Sequence, residues 1–583
     1  MRRPVKIANV SGFLGDRPSA MREQLIGGHV DVLTGDYLAE LTMLILARTR
    51  QRRPDGGYAR TFVSDLAGVL DLVMAKGVKV VVNAGGLDPV GCTEAVRNAA
   101  DEQGLMPVVA AITGDNLLDR LGELKSAGEL FTNLQTDKQS DRPFATANVY
   151  LGGWGITEAL RAGADIVITG RVTDAALVSG TAAWWHDWDR HDYDRLAGSV
   201  AAGHIIECGL QATGGNYSFF TELDDLEYPG FPWAEIADDG SAVIGKHPGT
   251  GGVVTRETVV SQLLYEIGSP AYLGPDVIAR FDTLEVEQIE PDRVQVSGAR
   301  GEAPPENLKV AASVPGGYRN VMTIGMTGLN QRFKASLLHD QIWRVIPFEA
   351  SDFDEVDESV IGSAVENPVT NAQAVSFWQL SVASSDEDKV GRAFSNAAIQ
   401  TVLGSIPGMF GLTPPAGATP FARYWPTSVN RDRVVQTVAI GDRILEVRET
   451  ESVMGDTIVM PGRPRVWQNG GETQRLPLGT VVGARSGDKG GSANLGVFAR
   501  GADGFDWLSG FLSIGQLREL LPELGQLKVD RYELVNLWAI NFVIHRLMGD
   551  GVSSSLRLDP QAKGLGEYLR AKIVDIPVSL IDA

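Results

Sequence analysis

Cysteine is nearly missing from this chain: Cys92 and Cys208 are the only two in 583 residues. One distant pair cannot form a disulfide framework, and without CxxC spacing there is no thiolate metal knuckle, so a reducing compartment is expected. Histidine is scarce too, at seven residues, and no HxxxH or HExxH pair occurs among them. The spacing of a helical zinc site is therefore lacking, and no metal is expected. No GxGxxG follows an apolar run, which argues against a dinucleotide redox cofactor, and no GxSxG elbow supports a serine hydrolase. No cofactor of any kind is expected. Apolar runs of about 18 residues are also lacking, and Met1-Arg2-Arg3-Pro4 passes straight into Val5–Val10. Neither a membrane span nor a signal peptide is expected, and the expected location is cytoplasmic. Positive charge is in deficit. At a net −21, neither nucleic acid nor an anionic membrane suits the chain as its main partner.

What is present reads as an α/β protein. Short apolar runs at Val5–Val10, Gly77–Asn83, Met106–Ile112 and Ala164–Thr169 alternate with helical patterns such as Met21–Gly28. Continuous apolar strands separated by helices predict a buried parallel sheet with crossover connections. From about Thr221 to Arg319 the pattern turns β-rich, with alternating runs at Leu284–Glu287 and Arg293–Val296. Gly404–Pro426 carries five prolines, at 407, 414, 415, 420 and 426, and reads as a long ordered loop. Gly455–Leu476, with Pro461, Pro464, Gly470 and Gly471, is the best linker. Beyond it the order strand, glycine loop, strand, helix (Ile514–Leu521), strand, helix, strand (Lys572–Val578) fits a small α+β domain of ferredoxin-like character. The expected domains are 1–220 (α/β core), 221–454 (β-rich continuation), 455–476 (linker) and 477–583 (α+β).

Ligands of open parallel sheets bind outside the carboxyl ends of the strands. Four such ends carry glycine among polar residues: Ser11-Gly12; Asn83, Gly85, Gly86 and Asp88; Thr113-Gly114-Asp115-Asn116; and Thr169-Gly170-Arg171 with Asp174. Each alone is an ordinary turn or cap; together they point to a shared site. A second segment sets His204, Glu207, Cys208 and Gln211 at helical spacing before the turn Thr213-Gly214-Gly215-Asn216-Tyr217. His204 and Glu207, three apart, suit either proton transfer or a structural ion pair. Cys208, among apolar residues, reads as packing before nucleophile. The third segment is Ala484–Asn494, where Arg485, Asp488, Lys489 and Asn494 crowd among three glycines. It reads as a ligand loop presenting bare N–H groups, or as a salt-bridged tight turn.

Weaker signals are weighed the same way. Gly245–Gly252 has phosphate-loop letters in the wrong order for a Walker motif, but the helix expected over Val253–Gly268 could hold an anion at its start. His186 lies in a run of aspartates and tryptophans best read as a solvated helix-to-loop segment, and His545 reads as a satisfied core histidine.

The segments Gly12–Asp16, Thr34–Glu40, Asn83–Gly86, Ile168–Asp174 and Gln211–Asn216 resemble the acyclic terpene utilisation protein A family, and Ala484–Asn494 resembles the ferredoxin-like domain fused to it. The resemblance covers about 1–450 and 475–580. It implies breakdown of branched isoprenoid acids as CoA thioesters, but assigns no catalytic residue. The combined expectation is a homo-oligomeric hydro-lyase or isomerase acting on an acyl-CoA or related carboxylate. Asp36, Glu40, Asp115, Asp174, His204 and Glu207 are its acid–base candidates, with Lys489 also in the catalytic set. Arg171, Arg485 and Lys489 would hold anionic groups. Backbone N–H groups of the strand-end loops would stabilise the oxyanion. Gly12, Asn83, Gly85, Gly86, Asp115, Thr213, Gly214, Gly215, Asn216, Asp488 and Asn494 complete the expected binding surface. The alternative is a non-catalytic scaffold subunit of an acyl-CoA carboxylase-linked assembly.

Overall fold

The computed structural model describes residues 2–53, 56–452 and 471–581. Most of the expected linker lies outside the described residues. The chain divides into two compact units, one made of Met1–Ser313, Trp425–Leu547 and Gln561–Ala583, the other of Val314–Tyr424 and Met548–Pro560.

The first unit is organised by short apolar strands: β1 (Val5–Ser11), β2 (Val32–Gly35), β3 (Lys79–Val82), β4 (Val109–Thr113), β5 (Thr146–Val149) and β6 (Ile166–Thr169). Five of them run parallel in the order β1-β2-β3-β6-β4, while β5 pairs antiparallel with Val310–Ser313. Their period-two pattern explains why both faces are apolar. Val80, Val82, Ile166 and Ile168 pack into one core with Phe62, Leu66 and Val96, whereas Val81 and Val167 point to the other, with Trp154, Leu177 and Ile205. Helices on either face bury these sides completely, so strand residues need no polar alternation.

Antiparallel strands extend the sheet to eleven. Pro232–Ile236, Ala242–Lys246, Arg293–Ser297 and Glu285–Glu290 continue it beyond β1, and Val435–Ile440 with Arg443–Arg448 beyond β4. The β-rich stretch is thus partly an extension of the N-terminal sheet. In the C-terminal part, Val482–Lys489, Ser492–Ala499, Ala539–Ile544 and Val529–Leu534 form an antiparallel sheet in that order. Thr473–Pro477 pairs with Ile573–Pro577.

Three expectations need correcting here. The glycine-rich segment Ala484–Asn494 is a β-hairpin, not a loop: its strands pair from Val482↔Ala499 to Lys489↔Ser492 and turn at Gly490-Gly491. Gly487 serves close packing, since a Cβ there would lie 2.7 Å from the Tyr265 ring, and so do two glycines of the same strands outside the segment. A Cβ on Gly483 would lie 2.2 Å from the Phe498 ring, and one on Gly496 2.6 Å from Leu264 Cβ. Gly404–Pro426 is not loop throughout either, since Thr419–Asn430 is a strand that accommodates Pro420 and Pro426. The helix Ala502–Phe511 went unread.

The second unit packs the helix Gln331–Val345 on a sheet that includes Glu355–Ile361, Val375–Ser384 and Met409–Gly411. Ile342, Trp378, Leu380 and Phe394 form its buried centre.

Candidate functional site

The carboxyl ends of β2, β3 and β6 bring Asp36, Asn83, Arg171 and Asp174 together. Asn83 donates to Asp36 Oδ1 and accepts the Tyr37 N–H at 2.7 Å, while Leu38 N–H also donates to Asp36 Oδ1 at 2.9 Å. Arg171 sits 3.0 Å from Asp174 Oδ1, donates to the Leu38 carbonyl at 2.9 Å, and lies over the Tyr150 ring. Asp174 and Asp36 lie close enough that the charge of Asp36 disfavours ionisation of Asp174. Two neighbouring carboxyl groups cannot both ionise cheaply, so the pair holds a proton at neutral pH. Burial raises the Asp174 carboxyl to about 8; Arg171 opposes this, and the charges of Asp36, Glu266 and Glu40 reinforce it. Burial raises Asp36 too, against the pull of Arg171 and Asn83.

Around this pair the site opens to solvent. Asp174 is enclosed by protein on most sides yet keeps 25% of its side-chain surface, which places it in a crevice. Glu40, 30% exposed, accepts from the Tyr150 hydroxyl at 3.2 Å and lies 4.0 Å from Lys309 Nζ. Burial would raise Glu40, but Lys309 and Arg171 outweigh it and its carboxyl is lowered.

The end of the helix Tyr193–Ile206 supplies the next wall. His204 Nδ1 is 3.5 Å from Glu207 Oε1, and the imidazole is packed against Tyr272 and Phe281 with ring centroids 5.1 and 5.4 Å away. Burial, helped by the charge of Lys489, drives His204 down to about 3, so it is neutral. Burial and the Asp174 and Asp36 charges push Glu207 well above its usual range. The two residues meet as their spacing predicts, with the imidazole neutral. Burial and Glu207 likewise keep Cys208 a thiol, and its backbone abuts Gly12.

The C-terminal hairpin closes the opposite side. Lys489 Nζ donates to the Glu266 carbonyl at 3.0 Å, and burial with the nearby Lys309 charge brings its ammonium down to about 8. Lys563 pairs with Glu266 at 3.1 Å and lies 3.8 Å from Asp488, whose carboxyl burial raises to about 7. Asp488 and Lys489 were expected to orient each other or a ligand; Asp488 instead faces Lys563.

Several predicted binding residues are spent inside the protein. Asn494 donates to the Leu264 carbonyl at 2.8 Å and accepts the Glu266 N–H at 2.7 Å. Arg485 reaches Gln211 and the Asn216 carbonyl and lies over the Tyr265 ring. Thr213 donates to the Leu210 carbonyl. Asp115 accepts from Arg171 N–H at 2.9 Å and Asn148 at 2.7 Å, which fixes the turn after β6; burial still raises it to about 6.

The expected N–H donors are engaged as well. Gly12 N–H bonds Asp16, Gly85 the Thr169 carbonyl, Gly86 the Asn83 carbonyl, Gly214 the Gln211 carbonyl and Gly215 the Leu210 carbonyl. An oxyanion would therefore meet side-chain donors, not glycine backbone. Asp88 is an ordinary helix cap, accepting from Gly91 N–H at 3.0 Å.

Of the minor signals, the anion site resolves as an ordinary helix entry, and the two histidine readings need correcting. At the start of the helix Arg256–Leu263, Gln288 takes the Arg256 N–H, the Thr255–Thr258 capping box takes two more and Asp292 takes the preceding Val254 N–H, while Lys246 reaches the Thr250 carbonyl and Asp292, so these groups are already engaged. His186 is not solvated; it is buried, bonds the Ile236 carbonyl at 3.0 Å and stacks on Trp188. His545 pairs with Asp530 at 2.7 Å and is a third exposed, so it is no core histidine. Among the described residues no group of three or more histidine, cysteine or acidic side chains is arranged to hold a metal. Tyr150, Glu266, Tyr272, Lys309 and Lys563 were not anticipated. They come from strands and turns without motif letters, and only position at the crevice marks them.

Fold and site together define an α/β protein with a proton-holding carboxyl pair at its strand ends and a lysine brought to it by an antiparallel C-terminal sheet. The chain matches the acyclic terpene utilisation family protein AtuA over residues 5–440 and the AtuA ferredoxin-like domain over residues 476–575. It belongs to that family, which implicates it in acyclic terpene utilisation, a catabolic role. No curated protein matches the chain.

Proposed function

We propose that the protein is an enzyme that moves a proton beside the carbonyl of an acyl-CoA thioester or related carboxylate in branched or isoprenoid acid breakdown. Hydration, dehydration, isomerisation and C–C cleavage all share that step. The observation that carries this reading is the Asp36–Asp174 pair beside Arg171, in which Asp174, raised to about 8, keeps its proton in a crevice that solvent reaches. One carboxyl group donates while the other accepts, so the pair serves as acid and base in turn. Arg171 supplies positive charge beside the pair.

The crevice holds cations as well as acids. Asp36, Glu40, Asp174, Glu207, Glu266 and Asp488 outnumber Arg171, Lys309, Lys489 and Lys563. Protonation of Asp174 offsets part of that excess.

The test is to incubate the purified full chain with saturated, unsaturated, hydroxylated and oxo acyl-CoAs in deuterated water and read products by mass spectrometry. Water gain or loss, cleavage or deuterium uptake in one thioester, reduced about 10²- to 10⁴-fold in Asp174→Asn, is the expected result. No change across the panel from folded protein would sink the reading and favour a scaffold subunit of a carboxylase assembly.

A further inference from the structure

The exit of the helix Arg256–Leu263 is gripped by asparagines of the C-terminal sheet. Asn494 holds Leu264 and Glu266, and Asn541, bonded to Asn494, donates to the Gly268 carbonyl at 2.6 Å. This grip fixes Glu266 at φ +56°, a left-handed conformation that a residue with a side chain adopts only under constraint. The Glu266 carbonyl then meets the hairpin and takes the hydrogen bond of Lys489. The lysine stem runs past Gly268, where an added Cβ would lie 3.4 Å from Lys489 Cε.

The result is an amine held by a neutral carbonyl instead of a carboxylate. Glu40, Glu266 and Asp174 bias its charge, and Lys309 repels it. A lysine meant for a salt bridge or for simple anion binding needs no such repelling neighbour. A lysine meant to react as an amine does, because only the uncharged nitrogen has a lone pair to give.

We infer that Lys489 forms an imine with a ketone or aldehyde carbonyl of the substrate, which makes the substrate class a 3-oxo acid or its thioester. This rests on the proton-transfer reading of the same crevice. The neutral amine adds to the carbonyl carbon, a proton moves to the carbonyl oxygen, and water leaves to give an iminium ion. The Asp174 carboxyl provides the proton for the departing oxygen. A carboxylate of the Asp36–Asp174 pair then takes a proton from the carbon next to the iminium, whose nitrogen receives the electron pair as an enamine forms. Reversal with water frees the lysine, and no oxidant or reductant is consumed. At pH 7 an ammonium brought down to about 8 is free amine roughly 200-fold more often than an ordinary lysine near 10.4.

The experiment treats the full chain at pH 7 with acetoacetate, acetoacetyl-CoA or pyridoxal, reduces with cyanoborohydride, and maps adducts by peptide mass spectrometry. The expected result is an adduct at Lys489 that forms on the order of 100-fold faster than at surface lysines and is lost in Lys489→Arg. Asn494→Asp, which disturbs the grip on Glu266 and leaves the amine in place, should slow labelling if it folds. Even labelling of all lysines, or no adduct at Lys489 from folded wild-type protein, overturns the imine. Deuterium uptake by wild-type protein without an adduct, or retained by Lys489→Arg, overturns the imine alone and leaves the proton-transfer reading standing.

Discussion

The first unit holds two buried acidic clusters, and their contrast is instructive. One is the crevice of Asp36, Asp174 and Glu207. The other joins Asp276, Glu449, Arg431 and Gln436 near the start of the helix Trp154–Arg161. Both keep carboxyl groups protonated by burial: Asp174 is raised to about 8, and Glu449 to about 7 with the Asp276 charge reinforcing it. Yet the second cluster is turned wholly inward. Asp276 accepts Gly153 N–H at 2.7 Å, Gln436 accepts Gly155 N–H and donates to Glu449 at 2.8 Å, and Arg431 caps the carbonyls of Pro275 and Thr450. Each of these side chains ties down a separate piece of backbone. In the crevice, Asp174 and Glu40 keep solvent contact and Lys489 makes one neutral hydrogen bond. A perturbed carboxyl group therefore does not mark chemistry by itself. Access to solvent separates a reactive cluster from a structural one.

The sharpest way to break this contrast is to neutralise one acid of the crevice. Asp174→Asn should lower turnover about 10³-fold while leaving the thermal midpoint within a few degrees, since a carboxyl already protonated at neutral pH is replaced by a neutral isostere. A large loss of stability with retained turnover would put Asp174 among the structural acids. Arg431→Ala should do the reverse. It removes the donors of the Pro275 and Thr450 carbonyls and one of the two arginines, with Arg190, whose charge acts on Asp276 and Glu449. The expected cost is about 1–3 kcal/mol in denaturant unfolding, with turnover per folded molecule unchanged. If folded Arg431→Ala loses turnover, the second cluster belongs to the site and the distinction fails.

A smaller effect lies in the pH profile. The amine of Lys489 appears as pH rises through about 8, while the acid form of Asp174 is lost as pH rises through about 8. Reaction needs both, so the rate should describe a bell centred near pH 8. Asp174→Glu should move the descending limb alone, and Lys489→Arg should abolish the activity whose ascending limb it controls.

Much of the scaffold was legible because its physics is local. Val80 to Val82 and Ile166 to Ile168 are apolar on both faces, and only a sheet covered on both sides tolerates that. Asn83, Arg171 and Asp174 were legible as neighbours because strand ends of parallel sheets converge. What the letters do not carry is where a hydrogen bond goes. Gly85 and Gly86 look like free donors until Thr169 and Asn83 are seen to accept from them. Asn494 looks the same whether it grips a helix end or a ligand. Tyr272 and Lys309 come to the crevice by tertiary pairing, which leaves no motif. Pro420 and Pro426 read as loop because proline removes a ladder donor, yet Thr419–Asn430 is extended throughout.

The mildest test of the contrast concerns stability against pH. Glu449 is raised to about 7 in the fold, above an unfolded value of about 4.3. Between those values the folded state binds a proton that the unfolded state has lost, so Glu449 makes stability fall as pH rises from about 4 to about 7, with no further change above. Glu449→Gln keeps the shape and the bond to Gln436 while removing the titration. Its unfolding free energy should therefore lose that downward slope and exceed wild type above pH 7, by a modest margin because Asp276 takes up part of the proton. Turnover should be unaffected. The same slope persisting in Glu449→Gln would mean that Asp276 alone carries the proton of the second cluster, and that its two acids, unlike Asp36 and Asp174, do not share one.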